Sequence, residues 1–289
     1  MSDYLLSVVL GIVEGLTEFL PVSSTAHLRI VEALFKIDLA SSYWKMYSVV
    51  IQLGAILCLP VYFRERIARF LALPREGRPL LTHPLSLVLV AFVVTALPAF
   101  LLSKLIGKNL ESLTIMGSSL LVGGIVMGVI DTLRARWEAA GAQAPGSPIR
   151  TWSMEAMSLG QAVCIGACQI LSAVFPGTSR SMSTIAGGQL AGMSRAAALE
   201  FSFFLSMPTM VAAVGYDLLK SLFGKQAQPL RMDLHGWTLL AIGFVVSFVV
   251  AYASVAALMA WVRKRGFMPF AVYRVVVGAA VLLWVFLNR

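Results

Sequence analysis

Charged side chains are scarce in this sequence. They make up 13% of its 289 residues, whereas an average soluble domain has about 25%. Hydrophobic residues reach 58%, and the mean hydropathy is +0.83. This shortage of charge excludes an ordinary soluble domain and predicts an integral membrane protein.

Cysteine and histidine are also rare, with three residues of each type. The cysteines are odd in number and lie in apolar runs, so they do not predict a disulfide framework. Cys164 and Cys168 would share one face of a helix, but no further histidine or cysteine is near enough in sequence to complete a zinc site. We therefore expect neither a disulfide framework nor a zinc site.

The net charge of +9 comes mostly from residues in connections between apolar segments. This pattern is typical of loops that face anionic lipid, so we do not expect a nucleic-acid partner. Three connections would share one membrane face with eleven basic residues, against eight on the other, and the positive-inside rule then places both termini outside the cytoplasm. The eleven are Arg64, Arg66, Arg69, Arg75, Arg78, Arg134, Arg136, Arg150, Arg263, Lys264 and Arg265.

Six apolar segments are long enough to cross a bilayer, for which a helix needs about 20 residues. Two further apolar regions, residues 4–35 and 157–193, are each interrupted by a proline and a hydroxyl-rich turn. Such a break at membrane depth predicts a re-entrant pair of helices. The predicted fold is therefore an all-α membrane protein with two re-entrant hairpins and six spans, near residues 46–63, 85–106, 113–133, 198–219, 237–262 and 268–287.

An internal repeat relates the two halves of the chain. At an offset of 155 residues, Gly11 matches Gly166, Glu14 matches Gln169, Pro21 matches Pro176, Ser24 matches Ser179, and Gly123 matches Gly278. Five matches at one offset argue against chance coincidence in apolar sequence. Three spans separate the two copies, so the copies should have inverted topology. The predicted repeats are residues 1–135 and 156–289, joined by a linker over residues 136–155.

The first interrupted region carries an acidic pair. Glu14 and Glu18 are four residues apart and would lie on one face of a helix. Two ionised carboxylates so close would repel, so we expect a proton, an arginine or a divalent cation such as Mg²⁺ or Ca²⁺ between them. The alternative is a buried structural pair that bonds backbone groups. Pro21 then interrupts the helix.

Hydroxyl groups follow this interruption directly. Ser23, Ser24 and Thr25 form a polar turn, and His27 lies close enough in sequence to activate a hydroxyl or to protonate a leaving group. A lone histidine is more often structural. Its position beside two glutamates and a serine cluster favours a catalytic role for His27.

The second interrupted region contains an arginine where a membrane segment would normally be apolar. Arg180 lies among hydroxyls and glycine, a combination that suits a receptor for phosphate oxygens. The alternative is an interfacial arginine that extends to lipid head groups, which its long apolar flanks make awkward. The neighbours expected to bind the anion are Gly177, Thr178, Ser179, Ser181 and Thr184.

In these two motifs the chain resembles the undecaprenyl-pyrophosphate phosphatases of the BacA type. The motif EGLTEFLPVSSTxH is present at residues 14–27, and the motif PGxSRS with a later threonine begins at residue 176. The resemblance covers essentially the whole length. It implies hydrolysis of the C55 isoprenyl pyrophosphate to the monophosphate and inorganic phosphate, which recycles the lipid carrier for cell-wall synthesis. It also implies a bacterial inner-membrane location, an active site open to the periplasm, and bacitracin resistance on overproduction.

The resemblance further implies a role for each motif residue. Glu14 and Glu18 would be the paired acids and cation ligands, with Ser24 and His27 as nucleophile and base candidates. Ser23 and Thr25 would assist in binding, and the second turn with Arg180 would receive the pyrophosphate. One departure is Met182 and Ser183, where many members have glycine and alanine.

Other functions remain open at this stage. Inverted repeats with broken helices also serve transport, so a lipid-phosphate flippase is the main alternative. The type-2 phosphatidic acid phosphatases carry a Ser-Gly-His motif and a later arginine and histidine. We reject this class because His83 and His235, the other histidines of the chain, lie in unrelated contexts. The residues do not decide whether Ser24 or a water molecule attacks, or whether the chain forms a homodimer.

Overall fold

The computed structural model describes residues 2–37, 42–72, 80–102, 112–141, 145–223 and 233–288. Within these ranges the chain forms eleven α-helices and no β-strand. The helices are α1 (Asp3–Thr17), α2 (Ser24–Leu34), α3 (Ser42–Tyr62), α4 (Arg64–Leu71), α5 (Pro84–Leu101), α6 (Leu113–Ala140), α7 (Leu159–Val174), α8 (Arg180–Leu190), α9 (Arg195–Phe223), α10 (Leu234–Arg265) and α11 (Met268–Leu287).

Six of these helices are long and apolar enough to cross a membrane: α3, α5, α6, α9, α10 and α11. This confirms the predicted all-α fold with six candidate spans. The predicted end of the second span, residue 106, lies outside the described residues. Helix α6 continues to Ala140 and so extends past residue 136, where the linker was predicted to begin; it ends at Gly141, whose φ is 83°. The division into two repeats stays a prediction.

Both interrupted regions form a helix, a turn and a second helix. Ser23 caps α2 by accepting a hydrogen bond from Ala26 N–H, and Ser179 caps α8 by accepting one from Met182 N–H. The two caps have φ values of 76° and 71°, which are uncommon for residues other than glycine. Ser23 is therefore the structural equivalent of Ser179. The offset of 155 pairs Ser24 with Ser179 instead, because the second turn contains one residue more between its proline and its cap.

Small residues let each hairpin pack closely on a long helix of the other half. A Cβ atom added to Gly11 of α1 would lie 2.9 Å from Gly243 O of α10. A Cβ atom added to Gly166 of α7 would lie 2.5 Å from Ala91 O of α5. Close approach of helix backbones through glycine is common in membrane proteins. It explains why glycine occupies both of these matched positions.

The three basic connections lie at one end of the helical bundle. Arg66 of α4 forms an ion pair of 2.5 Å with Glu155, in the segment between α6 and α7. Asp131, in the last turns of α6, accepts a hydrogen bond of 3.1 Å from the N–H of Phe267, just before α11. These contacts bring together the connections that follow α3, α6 and α10.

The first residues of α1 lie at the opposite end of the bundle. Tyr47, near the start of α3, donates a hydrogen bond of 2.9 Å to Ser7 O, and Ser7 Oγ donates to Leu239 O of α10 at 2.7 Å. The second hairpin begins and ends at the basic end, where Gln161 Nε2 of α7 donates to Ala191 O after α8 at 3.0 Å. The orientation of these ends in a bilayer stays a prediction.

Candidate active site

Glu18 lies where the first hairpin meets the second and has a partner on each of its carboxylate oxygens. Ser24 Oγ donates a hydrogen bond to Glu18 Oε2 at 2.5 Å, and Arg180 Nη2 donates to Glu18 Oε1 at 2.9 Å. Glu18 and Ser24 are buried, and the Arg180 side chain is only 12% exposed. The structure thus brings together three predicted site residues: an acid and a serine of the first hairpin and the arginine of the second.

Several polar atoms around this ion pair have no hydrogen-bond partner among the described residues. They are both carboxylate oxygens of Glu14 and the Nε and Nη1 atoms of Arg180. Glu14 is fully buried one helical turn before Glu18. Buried polar groups without partners cost free energy, so they usually mark a binding site or a role in chemistry. Here the free donors suit an anion and the free acceptors suit a cation or a proton.

His27 is turned away from the serine that it was expected to activate. Its Nδ1 atom lies 2.7 Å from Ser23 O, and its Nε2 atom lies 2.6 Å from the hydroxyl of Tyr273 in α11. The two rings are stacked with their centroids 5.6 Å apart. The structure therefore does not bring His27 to Ser24. Glu18 holds the position of a base for that hydroxyl.

The remaining hydroxyls of the first motif have other surroundings. Ser23 Oγ serves as the cap of α2, at 3.4 Å from Ala26 N. Thr25 is exposed on the first turn of that helix. Of the three hydroxyl residues in this turn, Ser24 alone is hydrogen bonded to the acidic pair.

The hydroxyls of the second motif are hydrogen bonded to one another and to neighbouring parts of the protein. Ser179 Oγ lies 3.1 Å from Ser181 Oγ, which donates a hydrogen bond of 3.0 Å to Leu20 O in the first turn. Thr184 Oγ1 lies 2.7 Å from Ser202 Oγ of α9. Ser181 thus connects the two turns, and Thr184 attaches α8 to the bundle.

A second buried arginine, which sequence reasoning missed, lies beside both turns. Arg274 of α11 donates hydrogen bonds to the carbonyl oxygens of Gly177 and Thr178 at 3.2 and 2.9 Å and to Pro21 O at 3.1 Å. The signal was present in the sequence, because an ionisable residue inside an apolar span is functional by default. Its relation to the two turns appears only in the fold.

Met182 is accommodated because its neighbour has no side chain. A Cβ atom added to Gly123 of α6 would lie 2.7 Å from Met182 Cε. The backbone N–H of Met182 still bonds to the cap Ser179 Oγ at 3.3 Å. The departure from the family pattern at this position therefore leaves the turn intact.

The family model described as "Bacitracin resistance protein BacA" matches residues 7–280 of this chain. The chain belongs to the BacA family. A protein of Koribacter versatilis named undecaprenyl-diphosphatase is 62% identical over 293 residues, which cover 98% of this chain and 99% of that relative. A relative of the same name from Novosphingobium aromaticivorans is 39% identical, over 98% of this chain and 98% of its own length. Another, from Caldanaerobacter subterraneus, is 38% identical, over 95% of this chain and 93% of its own length.

These matches confirm the BacA resemblance that was inferred from the two motifs. The matched residues include both turns, five of the six candidate spans in full and the sixth as far as residue 280. The similar proteins carry the name of a diphosphatase, and they lend no support to the flippase alternative.

Proposed function

We propose that this BacA-family protein hydrolyses undecaprenyl diphosphate to undecaprenyl phosphate and inorganic phosphate, and so returns the lipid carrier to cell-wall synthesis. The name shared by its full-length relatives supports this reaction. The observation that carries the proposal is the arrangement of Glu18 between Ser24 and Arg180. A serine, a base bonded to it and a guanidinium with free donors are the parts that phosphoryl transfer needs.

Arg180 receives the diphosphate in this proposal. Its Nη2 atom is committed to Glu18, whereas its Nε and Nη1 atoms have no protein partner. The two free donors flank Nη2 and point in different directions, because Cδ lies between them on the third edge of the guanidinium. Each can therefore bind a different oxygen of the diphosphate. Because the site is buried, their interaction with developing negative charge is stronger than it would be in water.

Ser24 is the nucleophile of the proposed reaction. Its Oγ atom forms a bond to the distal phosphorus while Glu18 Oε2 takes its proton. The bond from that phosphorus to the bridging oxygen breaks, and the lipid monophosphate leaves with the electron pair. The departing lipid monophosphate takes this proton from Glu18. Water then attacks the phosphorus of the phosphoserine and gives a proton to Glu18. The bond from phosphorus to Ser24 Oγ breaks, inorganic phosphate leaves, and Ser24 Oγ takes the proton from Glu18. The 2.5 Å hydrogen bond between Ser24 and Glu18 supports attack by the serine rather than directly by water.

A divalent cation fits the acidic pair when the substrate completes its shell. No cluster of three or more His, Cys, Asp or Glu side chains suited to a metal ion occurs in the described part of the chain. Mg²⁺, however, often takes only one or two carboxylates from a protein and the rest of its ligands from phosphate and water. Glu14, with two unpartnered oxygens, and Glu18 would hold it. The cation would neutralise phosphate charge in the transition state.

The site is proposed to open to the periplasmic side of the bacterial inner membrane, with the isoprenyl tail against the apolar outer surface. Support comes from the six candidate spans and from the three basic connections at one end of the bundle. The positive-inside rule assigns that end to the cytoplasm.

Phosphate release tests the proposal. Purified protein in detergent, given undecaprenyl diphosphate, should release inorganic phosphate. Arg180→Ala and Glu18→Ala should each lower the rate by on the order of 10³-fold. Arg136→Ala is the matched control, because Arg136 is exposed on α6 and stacks over Trp137. No release by the wild type, or full activity of Arg180→Ala, would contradict the proposal. Melting temperatures identify variants that are merely unfolded.

A further inference from the structure

Arg274 is a fully buried cation without an acidic partner. Its exposed fraction is 0%, and no ion pair to it occurs among the described residues. Its partners are four backbone carbonyls: Pro21 O at 3.1 Å, Ser119 O at 3.1 Å, Gly177 O at 3.2 Å and Thr178 O at 2.9 Å. One carbonyl belongs to the first turn, two belong to the second turn and one to α6.

These carbonyls take the place of a counter-ion. A buried guanidinium without compensation is very unfavourable. Four carbonyl dipoles that converge on it supply negative partial charge, but only while both turns keep their present positions. The planar fork of arginine can bond several oxygens in fixed directions, which the single ammonium group of lysine cannot reproduce. Compensation of the Arg274 charge therefore depends on the positions of the two hairpins. The hydrogen bonds of Arg274 in turn hold the hairpins in those positions.

The contact with Thr178 acts directly on the start of α8. Because a trans peptide is planar, a carbonyl directed at Arg274 points the N–H of Ser179 to the opposite side. Ser179 is the cap with φ of 71°, and Arg180 follows it as the first residue of the helix. Fixing this peptide therefore fixes the backbone from which the Arg180 side chain extends.

Gly123 of α6 provides the space for this guanidinium. A Cβ atom added there would overlap Arg274 Nη2. Gly128 of the same helix offers a comparison, because a Cβ atom at Gly128 would meet only Ala271 Cβ at 3.4 Å and Met268 Sδ at 3.8 Å. Those are ordinary contact distances.

We propose that Arg274 is a positioning residue that holds the two turns in register, so that Glu18 and Ser24 of one hairpin meet Arg180 of the other. It contacts backbone carbonyls of the turns and acts on the reaction through Arg180. This inference rests on the proposed diphosphatase activity for its kinetic readout.

A double-mutant cycle tests whether Arg274 acts through Arg180. Arg274→Lys keeps the charge and should lower kcat by on the order of 10²-fold, the size expected for a small misplacement of catalytic groups, while KM changes less than about threefold. The double variant Arg274→Lys/Arg180→Lys should have a kcat no more than about threefold below that of Arg180→Lys alone. Once Arg180 is replaced, there is no longer a guanidinium for Arg274 to position. The proposal would be overturned if the loss of kcat in the double variant equalled the product of the two single losses, or if Arg274→Lys were fully active.

Two glycine variants test the same idea with Arg274 unchanged. Gly123→Ala displaces the guanidinium and should lower kcat at least about tenfold, as expected when catalytic geometry is disturbed at a distance. The new Cβ atom would also lie 2.7 Å from Met182 Cε, but that atom is the end of a flexible side chain and can move aside. Gly128→Ala should retain the wild-type kcat. Equal effects of the two variants would contradict a specific role for the space beside Arg274.

Hydrogen exchange supplies a readout that needs no activity. In Arg274→Lys, the amides of residues 22–24 in the first turn and 177–180 in the second should exchange faster than in the wild type, whereas Gly128→Ala should leave them unchanged. If the wild type releases no phosphate, the proposed function fails, but this comparison still tests positioning. Unchanged exchange in both turns would overturn the inference even if Arg274→Lys were inactive.

Discussion

Glu18 and Arg180, which are 162 residues apart in the chain, form an ion pair of 2.9 Å that joins the two hairpins. The pair does more than hold the hairpins together, because the second oxygen of Glu18 accepts the hydrogen bond of Ser24. One carboxylate therefore connects the nucleophile candidate to the anion receptor. Loss of either partner should affect both substrate binding and activation of the serine.

Phosphate release should depend on a divalent cation held by the acidic pair. EDTA should lower phosphate release by on the order of 10²-fold or more, and Mg²⁺ or Ca²⁺ should restore it. Glu14→Gln should need at least about tenfold more cation for half-maximal rate, because it loses a charged ligand. Exposed Glu65 supplies the control Glu65→Gln. A full rate in EDTA would show that the acidic pair works without a metal.

Substitutions at His27 should cost less than substitution of Ser24. The histidine bonds Ser23 O and the Tyr273 hydroxyl rather than Ser24. His27→Ala should therefore lower kcat by about tenfold, and Tyr273→Phe by less, whereas loss of a nucleophile costs on the order of 10³-fold or more. Equal losses in His27→Ala and Ser24→Ala would instead favour His27 as the base.

The cap residue Ser23 should respond differently to glycine and to alanine. Its φ of 76° favours glycine, and its hydroxyl caps α2. Ser23→Ala removes the cap and keeps the unfavourable backbone, so it should destabilise the protein by about 1 to 2 kcal/mol, while Ser23→Gly should change stability by only a few tenths. Thermal unfolding in detergent measures the difference, with exposed Thr25→Ala as the control. A less stable glycine variant would contradict this reading of the turn.

The ion pair between Arg66 and Glu155 should make stability depend on acid pH. Burial alone would raise the pKa of Glu155, but hydrogen bonds and charge from Arg66 outweigh it and hold the pKa below its ordinary value. A carboxylate with a lowered folded-state pKa stabilises the fold above its unfolded pKa, about 4.3, and loses this contribution as the pH falls further.

The melting temperature of the wild type should therefore decrease below about pH 4.3, and more steeply than that of Glu155→Gln. Glu65→Gln, altered at an exposed position, should follow the wild type. Parallel curves for the wild type and Glu155→Gln would show that this ion pair does not contribute.

The parts of the fold that depend on local sequence could be predicted. Apolar length alone located the six candidate spans. Pro21 and Pro176 mark the two helix breaks, because proline and the hydroxyl clusters after it interrupt helical hydrogen bonding. An arginine beside the acidic pair was among the partners that the sequence led us to expect, since buried charges need partners.

The partners within the site could not be predicted, because they depend on side-chain directions in three dimensions. Sequence distance favoured His27 as the partner of Ser24, yet Glu18 is hydrogen bonded to it. The one-residue difference between the turns was hidden by the match of Ser24 to Ser179. Sequence reasoning missed Arg274, because only the fold brings its four carbonyl partners together.

The fate of the distal phosphate during a single turnover tests the central claim most directly. Enzyme mixed with undecaprenyl diphosphate labelled on that phosphate, denatured at neutral pH within milliseconds and digested, should yield a labelled peptide. The account predicts a phosphoserine at residue 24, absent from Ser24→Ala and from Arg180→Ala. Release of labelled inorganic phosphate with no labelled peptide at any quench time, or a label on His27, would contradict it.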